Sequence, residues 1–303
     1  MTGSNGFIGK NVVPLLKKKS HRVAEFSKSL GNDITNFNQV NASMKNVDAV
    51  IHLAAVIDEA APLELMRKIN VDGTRNVLEA AAKNKIKRFV YASTIGVYGG
   101  FDGIAKEDQP YNPQSNYEKT KTEAEKLVLE YQEVLPITVL RPPYVVGANE
   151  TWKQAVKTAK KGFPIVGSGK NAFHVAHVED VASAFVFCLE HDETIGEVYN
   201  VSTDDVTTQE DFRLMVSKAF GLSESFQHVP AWLAAFGASA LGTFNRLQGK
   251  KSLVNPTNVW RISQNRAFDG SKLRAAGWKP KFSGIQAIQK TIESVKPMVE
   301  RDA

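Results

Sequence analysis

An α/β fold, a doubly wound parallel sheet followed by a smaller interleaved lobe, is predicted by three observations. Short β-rich apolar runs alternate with longer amphipathic stretches through the first half of the chain. A glycine-rich turn in MTGSNGFIGK, with Gly3, Gly6 and Gly9, runs directly into a helical pattern. Beyond Arg141 the alternation loses regularity without any linker-like composition. Alternation of this kind is what strand–helix–strand units produce when helices cover both faces of a parallel sheet.

In chain order, the apolar runs predict strands at 22–26, 48–53, 88–93 and 138–141. The helix opened by Gly6 carries Pro14, which removes one backbone bond and is expected to bend it. Helices are predicted over 63–84 and 117–133, separated by turn-rich stretches such as GGFDG and DQPYNPQSN. From Gly147 onward, helices at 151–161, 180–190 and 209–220 mix with strands at 173–177 and 197–201. Residues 1–146 therefore read as a dinucleotide-binding domain and 147–303 as mainly a substrate-binding lobe, some of whose elements return to the sheet. The segment 231–244, AWLAAFGASALGTF, is too short to span a bilayer. It reads as a buried helix or a lid over an apolar pocket, in preference to a surface attached to lipid.

Composition narrows the classes of function. The 303 residues are 43% hydrophobic and 23% charged, as ordinary globular domains are. The net charge of +6 is dispersed, its longest basic run being Lys17, Lys18 and Lys19, so an anionic cofactor is expected and not a nucleic-acid partner. A lone cysteine, Cys188, allows no internal disulfide and fits a reducing, cytoplasmic location. His174 and His177 are three apart, which on a strand puts them on opposite faces, so no metal site is expected.

Chemistry is carried by three motifs. The glycine turn opens a helix whose amino terminus can receive a dinucleotide's phosphates. In SNYEKTKTEAEKL, Tyr117 and Lys121 lie one helical turn apart, so a phenol and an ammonium share a face. An adjacent ammonium favours the phenolate and is expected to pull the ordinary value of about 10 toward neutrality, where a proton can pass to or from an alcohol or ketone. At the end of a predicted strand, YASTIGVYG places the Ser93 and Thr94 hydroxyls at the carboxyl edge, where parallel sheets bind ligands.

Together with VIHLAA, NVDGTRNVLEAA, LRPPYVVG, HVEDVA, GEVYNVS and LRAAGWKP, these motifs resemble the extended short-chain dehydrogenase/reductase family over nearly the whole chain. That family includes nucleotide-sugar epimerases and dehydratases and hydroxysteroid-dehydrogenase-like reductases, all on a Rossmann-type sheet. The resemblance implies that Thr94 orients the substrate oxygen, Tyr117 is the acid/base, and Lys121 lowers its pKa while bonding the cofactor ribose. It further implies that Gly3, Gly6, Phe7, Ile8 and Gly9 hold the pyrophosphate and Asp33 and Ile34 meet the adenine. Leu53, Ala54 and Ala55 line the cofactor's path, and Asn70 and Pro142 complete the cofactor side. A homodimer through the two long helices is plausible in such a family.

The choice of dinucleotide follows from the end of the second strand. An acid there, about 20 residues after the glycines, accepts the ribose hydroxyls of NAD. Spacing puts Ser27 at that place with Lys28 after it, a hydroxyl and a cation that welcome a further phosphate, so NADP is expected. Should the strand end two residues earlier, Glu25 takes the position and NAD is expected instead.

Nucleotide-sugar members usually place an asparagine and an arginine where this chain has Tyr144 and Phe173, the arginine to grip a diphosphate. Aromatic replacements suit a less polar carbonyl/secondary-alcohol pair, so an oxidoreductase is expected. The alternatives are a nucleotide-sugar epimerase or dehydratase, for which Arg261 or Arg266 would contact the phosphates, and a dinucleotide-binding regulatory protein on the same fold. Finally, only Met1 and Thr2 precede the glycine turn, where a central strand belongs. The first strand is expected to be missing or truncated, with a short apolar run upstream in a longer natural chain.

Overall fold

A computed structural model of the protein describes residues 1–247 and 256–302, with side chains described outside 243–258. Four strands form the parallel sheet: β1 (Ala49–His52), β2 (Arg88–Ala92), β3 (Ile137–Arg141) and β4 (Val198–Asn200), adjacent in that order. Alternation within the strands divides the core. Phe89, Tyr91, Ile137 and Val139 pack on one face with Val77, Leu78, Ala124 and Val128. Val90 and Leu140 pack on the other with Val12, Leu16, Val181 and Phe185. The first set of partners comes from helices α2 (Gly73–Lys83) and α3 (Asn116–Glu130), the second from α1 (Gly9–Lys18) and α4 (Val178–Glu190). This is the doubly wound arrangement, and α4 and β4 return to it from beyond residue 147.

The expected strand at 22–26 is reduced to one bridging residue, Phe26. Thr2 bridges Phe26 on one side and His52 on the other, in parallel, so Met1 and Thr2 occupy the slot beside β1. The Met1 amine donates to the Ala24 carbonyl (2.7 Å) and the Phe26 amide to the Met1 carbonyl (2.9 Å). Thr2 is nonetheless anchored: its amide donates to the Ile51 carbonyl (3.0 Å) and its hydroxyl meets His52 Nδ1 (2.6 Å), while His52 Nε2 meets the Thr74 hydroxyl (2.9 Å). The phosphate turn therefore hangs from a short backbone bridge to β1 that the Thr2–His52–Thr74 side chains reinforce.

One helical expectation also changes. Residues 63–84 are not one helix: Leu63–Arg67 passes through a π-helical turn, Lys68–Asp72, before α2 begins. Pro14 lies within α1, which runs unbroken from Gly9 to Lys18. The second lobe closes around Val156, Val216, Ile288 and Ile292, contributed by helices Glu150–Lys160, Gln209–Phe220 and Gly284–Arg301.

Helix α5 (Ala231–Leu247) contradicts the expectation of a buried helix. Ala235 and Ala238 turn inward against Val259 of α6 (Pro256–Ile262), whereas Trp232 and Phe236 are 65% and 69% exposed.

Candidate active site

The glycine turn has the shape of a phosphate cradle. Gly3 adopts φ +67°, and a Cβ there would sit 2.8 Å from the Ala54 amide nitrogen; one on Gly9 would lie 2.2 Å from the Gly3 carbonyl oxygen. Gly6 is exposed at the mouth of the turn, and a Cβ there would meet only the Gly3 carbonyl oxygen, at 3.1 Å. The first two glycines let the turn close on β1 and α1, and the third leaves the surface bare for a ligand. Leu53, Ala54 and Ala55 form the facing wall, with the Leu53 amide donating to the Thr2 carbonyl (3.3 Å) and the Ala54 amide to the Thr2 hydroxyl (3.3 Å). Phe7 underpins the turn from the second lobe's side: a Cβ on Gly147 would come within 3.0 Å of its ring. Ile8 packs into the core beside α4.

On the adenine side, Asp33 is exposed and held in a tight turn, its Oδ1 accepting from the Thr35 amide and hydroxyl (both 2.8 Å), and those bonds hold its carboxyl below the usual carboxylate range. Ile34 is buried against Gly73, where a Cβ would clash with its side chain at 2.7 Å. Ser27 directly follows the bridging Phe26, so it stands where spacing put it. Glu25 is turned to Lys17 (2.8 Å). Asn5 of the glycine turn donates to the Ser29 hydroxyl (2.8 Å), which lies 3.3 Å from that of Ser27, with exposed Lys28 between them.

Helix α3 carries Tyr117 and Lys121 and is fixed at its start by Ser115 and Glu118, which form a reciprocal capping box. Glu118 is buried and also accepts from Arg266 (2.8 Å). Gly96 makes room for this: a Cβ there would lie 2.8 Å from Glu118 Cγ and 3.3 Å from the Thr94 hydroxyl. Thr94 accepts from the Gly96 amide (3.0 Å) at the end of β2, and the Pro142 carbonyl accepts from the Ile95 amide (3.1 Å) in the same turn.

Lys121 reaches the end of β2 from α3. Its ammonium donates to the Tyr91 hydroxyl and the Ala92 carbonyl, each at 2.7 Å, and lies 4.3 Å from the Tyr91 ring centre. Burial lowers its pKa to about 7, against the pull of Glu125. The expected lowering of Tyr117 is not found, and the reason is direction: the ammonium faces β2. Burial instead pushes the Tyr117 phenol well above the ordinary tyrosine range; Arg261 opposes that push most, and the Thr94 hydroxyl also opposes it, whereas Glu59 and Glu118 add to it. A phenol so placed keeps its proton at neutral pH.

Asn70 lies in the π-helical turn and is fully buried. Its amide exchanges two bonds with the Val56 backbone (2.7 and 3.0 Å) and donates to the Thr120 hydroxyl (3.1 Å). It thus fixes the loop after β1 against α3.

Tyr144 and Phe173 meet edge-to-face at 6.0 Å, and the Arg261 guanidinium lies 6.0 Å from the Tyr144 ring centre. The Tyr144 hydroxyl is buried and has no hydrogen-bond partner among the described residues. Arg261 also meets Glu59 (3.3 Å), whose other oxygen lies 3.5 Å from the Tyr117 amide nitrogen. Glu59 went unread in the sequence because nothing local marks it. Glu118 had a legible signal in the serine-x-x-glutamate pattern. Of the two arginines open to a phosphate role, Arg266 is buried on Glu118. His174 accepts from the Phe268 amide (2.8 Å) and His177 caps α4, so the two serve the frame separately.

Residues 1–202 match the model of the NAD dependent epimerase/dehydratase family. The chain is similar to N-acetyl-alpha-D-glucosaminyl-diphospho-ditrans,octacis-undecaprenol 4-epimerase of Escherichia coli O157:H7, 25% identical over 311 residues that cover 97% of this chain and 93% of that one. It is likewise similar to 3-beta-hydroxysteroid dehydrogenase of Mycolicibacterium neoaurum, 26% identical over 323 residues, 95% and 88% of the two chains. Among solved structures, UDP-glucose 4-epimerase of Thermus thermophilus in complex with NAD shares the fold at TM-score 0.74 and 23% identity, over 97% of each chain. The bare glycine cradle, the buried lysine beside the tyrosine and a matched span of more than half the chain lead to one assignment: this protein belongs to the NAD-dependent epimerase/dehydratase family of extended short-chain dehydrogenase/reductase enzymes.

Proposed function

We propose that the protein is an NADP-dependent oxidoreductase that reduces a weakly polar ketone to a secondary alcohol, and runs the reverse reaction. The observation that carries this reading is the edge-to-face pair of Tyr144 and Phe173, which stand where nucleotide-sugar members carry an asparagine and an arginine. When bound, the nicotinamide supplies the hydride that adds to the carbonyl carbon. As that bond forms, the carbonyl π pair moves onto oxygen, and Tyr117 donates its proton there. Thr94 orients the oxygen. Lys121 has two of its three N–H groups on β2, and the third suits a ribose hydroxyl. The phenolate left on Tyr117 is drawn back to the phenol by its burial and regains a proton from water.

The NADP preference is supported by the hydroxyls of Ser27 and Ser29, the Asn5 amide and the exposed Lys28, with Glu25 directed away to Lys17. A second reading, epimerisation or dehydration of a nucleotide sugar, draws on Arg261 at the site mouth, and opposing it are Phe173 in the arginine's place and the engagement of Arg266 by Glu118. A homodimer is part of the proposal, supported by Leu63 and Leu65, 37% and 42% exposed beside α3. The buried free thiol of Cys188 supports the cytoplasm as its compartment.

The test is a cofactor screen with NADPH and NADH against ketones, aldehydes and 4-keto sugars. One NADPH oxidised per ketone reduced is expected. Conversion of a UDP-sugar with no net cofactor change would overturn the reading in favour of the second, and a Tyr117→Phe protein with unchanged cellular function would favour a regulatory role.

A further inference from the structure

A buried polar chain leads from the glycine turn to Lys121, and each proton in it has one place to go. His52 of β1 and Tyr91 of β2 are paired across the sheet, their ring centres 5.7 Å apart. Burial, aided by the nearby Lys121 ammonium, lowers His52 to about 3, so at pH 7 its ring is neutral and carries a single N–H. The Thr74 hydroxyl donates to the Asn70 carbonyl (2.7 Å), which leaves its oxygen able only to accept. His52 Nε2, 2.9 Å from that oxygen, therefore holds the ring proton, and Nδ1 accepts from the Thr2 hydroxyl (2.6 Å). Thr2 in turn accepts from the Ala54 amide (3.3 Å). Thr2, His52 and Thr74 are all buried, so the reverse order would leave a polar group unpaired.

The chain continues to the lysine. As an ammonium, Lys121 can only donate, and it does so to the Tyr91 hydroxyl oxygen and the Ala92 carbonyl (both 2.7 Å). The Tyr91 phenol, kept protonated by burial, must send its own proton elsewhere, and the Thr74 side chain is its other hydrogen-bonding neighbour. The titratable groups around the ammonium are Tyr91, the neutral His52, Tyr117 and, one turn along α3, Glu125, whose carboxylate is bonded to Arg141 of β3. We propose that Thr74 and Tyr91 are positioning residues for Lys121: Thr74 takes the phenolic proton of Tyr91, so Tyr91 offers the ammonium lone pairs alone and leaves its third N–H for a ribose hydroxyl. Through His52 and Thr2 the same chain is rooted beside the glycine turn, so the groups for the phosphates and for the ribose are held as one unit. The proposal rests on the reading of Lys121 as the ribose ligand and stands apart from the choice between ketone and sugar.

The test is a pH titration of the full chain by NMR of isotope-labelled lysine side chains, in which the Lys121 signal is the one absent from Lys121→Met. Tyr91→Phe keeps a ring beside the ammonium, which lies 4.3 Å from the ring centre, and removes only the hydroxyl. The loss of a charge-assisted bond is expected to bring the Lys121 midpoint about one pH unit below that of the unaltered chain. NADPH affinity at pH 7, read by fluorescence, is expected to fall about ten-fold with it. Thr74→Val is expected to move the midpoint the same way by a smaller amount, and Thr74→Ser to restore it. An unmoved midpoint in Tyr91→Phe would overturn the proposal, as would an unmoved midpoint in a folded Thr74→Val. Should the valine variant not fold, a midpoint displaced in Thr74→Ser would overturn it instead. A lowered midpoint with unchanged NADPH affinity would sink the ribose contact on which the proposal rests. Absence of ketone reduction in the cofactor screen would move none of these midpoints, so the two readings fail separately.

Discussion

The two walls of the active site are built differently. On the sheet side, Lys121, Asn70, Thr94 and Glu118 are tied to backbone groups or to a buried partner at 2.7–3.2 Å, and each serves to hold α3 or the end of β2. On the opposite side, Tyr144 and Phe173 touch edge-to-face with the Tyr144 hydroxyl unsatisfied, and Arg261 closes the mouth from a short helix. A fully bonded wall holds reacting groups in place, which the chemistry requires. A looser aromatic wall selects by shape and polarity.

The largest break in that comparison is Tyr117→Phe. Removing the proton donor is expected to lower turnover about 10²- to 10⁴-fold while NADPH affinity stays within about two-fold, read by steady-state kinetics and fluorescence titration. Equal turnover would remove Tyr117 from the reaction.

Next comes the bonded wall itself. Arg266→Met leaves the buried Glu118 carboxylate without its cation, which is expected to cost about 3–5 kcal/mol in urea unfolding. By contrast Arg67→Ala, which breaks an exposed pair with Glu123, is expected to leave urea unfolding nearly unchanged. Comparable losses would mean that burial does not distinguish the two.

Buried histidines set a smaller, pH-dependent effect. Burial lowers His52 to about 3 and His174 to about 4, from 6.5. The unfolded chain takes up protons below about pH 6.5 when the folded protein does not. Their contribution is thus fully present above that pH and declines as pH falls toward 4. Urea unfolding between about pH 7 and pH 5, where carboxylates stay mostly ionised, is expected to show the decline. A flat profile would contradict the assignment.

The smallest effect is cofactor choice. Ser27→Asp is expected to shift the NADP/NAD preference about ten-fold toward NAD, measured as a ratio of kcat/KM values. An unchanged ratio would mean that the ribose lies elsewhere.

Legibility in the sequence followed range. The glycine turn, the Tyr117/Lys121 spacing and Asp33-Ile34 are local patterns, and the structure shows a tight turn at the first and third and one helix carrying the second. The Glu118–Arg266 pair joins residues far apart in the chain, and no periodicity encodes it. The direction of Lys121 depends on Tyr91 and Ala92 of a neighbouring strand, so spacing alone gave the wrong sign for the phenol. The strand at 22–26 is present only as the bridge of Phe26 to Thr2, a long-range pairing that local propensity does not encode. Composition marked 231–244 as apolar, but only packing shows which side chains face out.

The most direct test of the account is the ultraviolet titration of tyrosine ionisation, unaltered protein minus Tyr117→Phe. The phenol of Tyr117 is predicted to remain protonated through the ordinary tyrosine range near pH 10, as a proton donor held by burial requires. A difference signal that titrates near neutrality would contradict it, and would return to Lys121 the pull that the structure directs elsewhere.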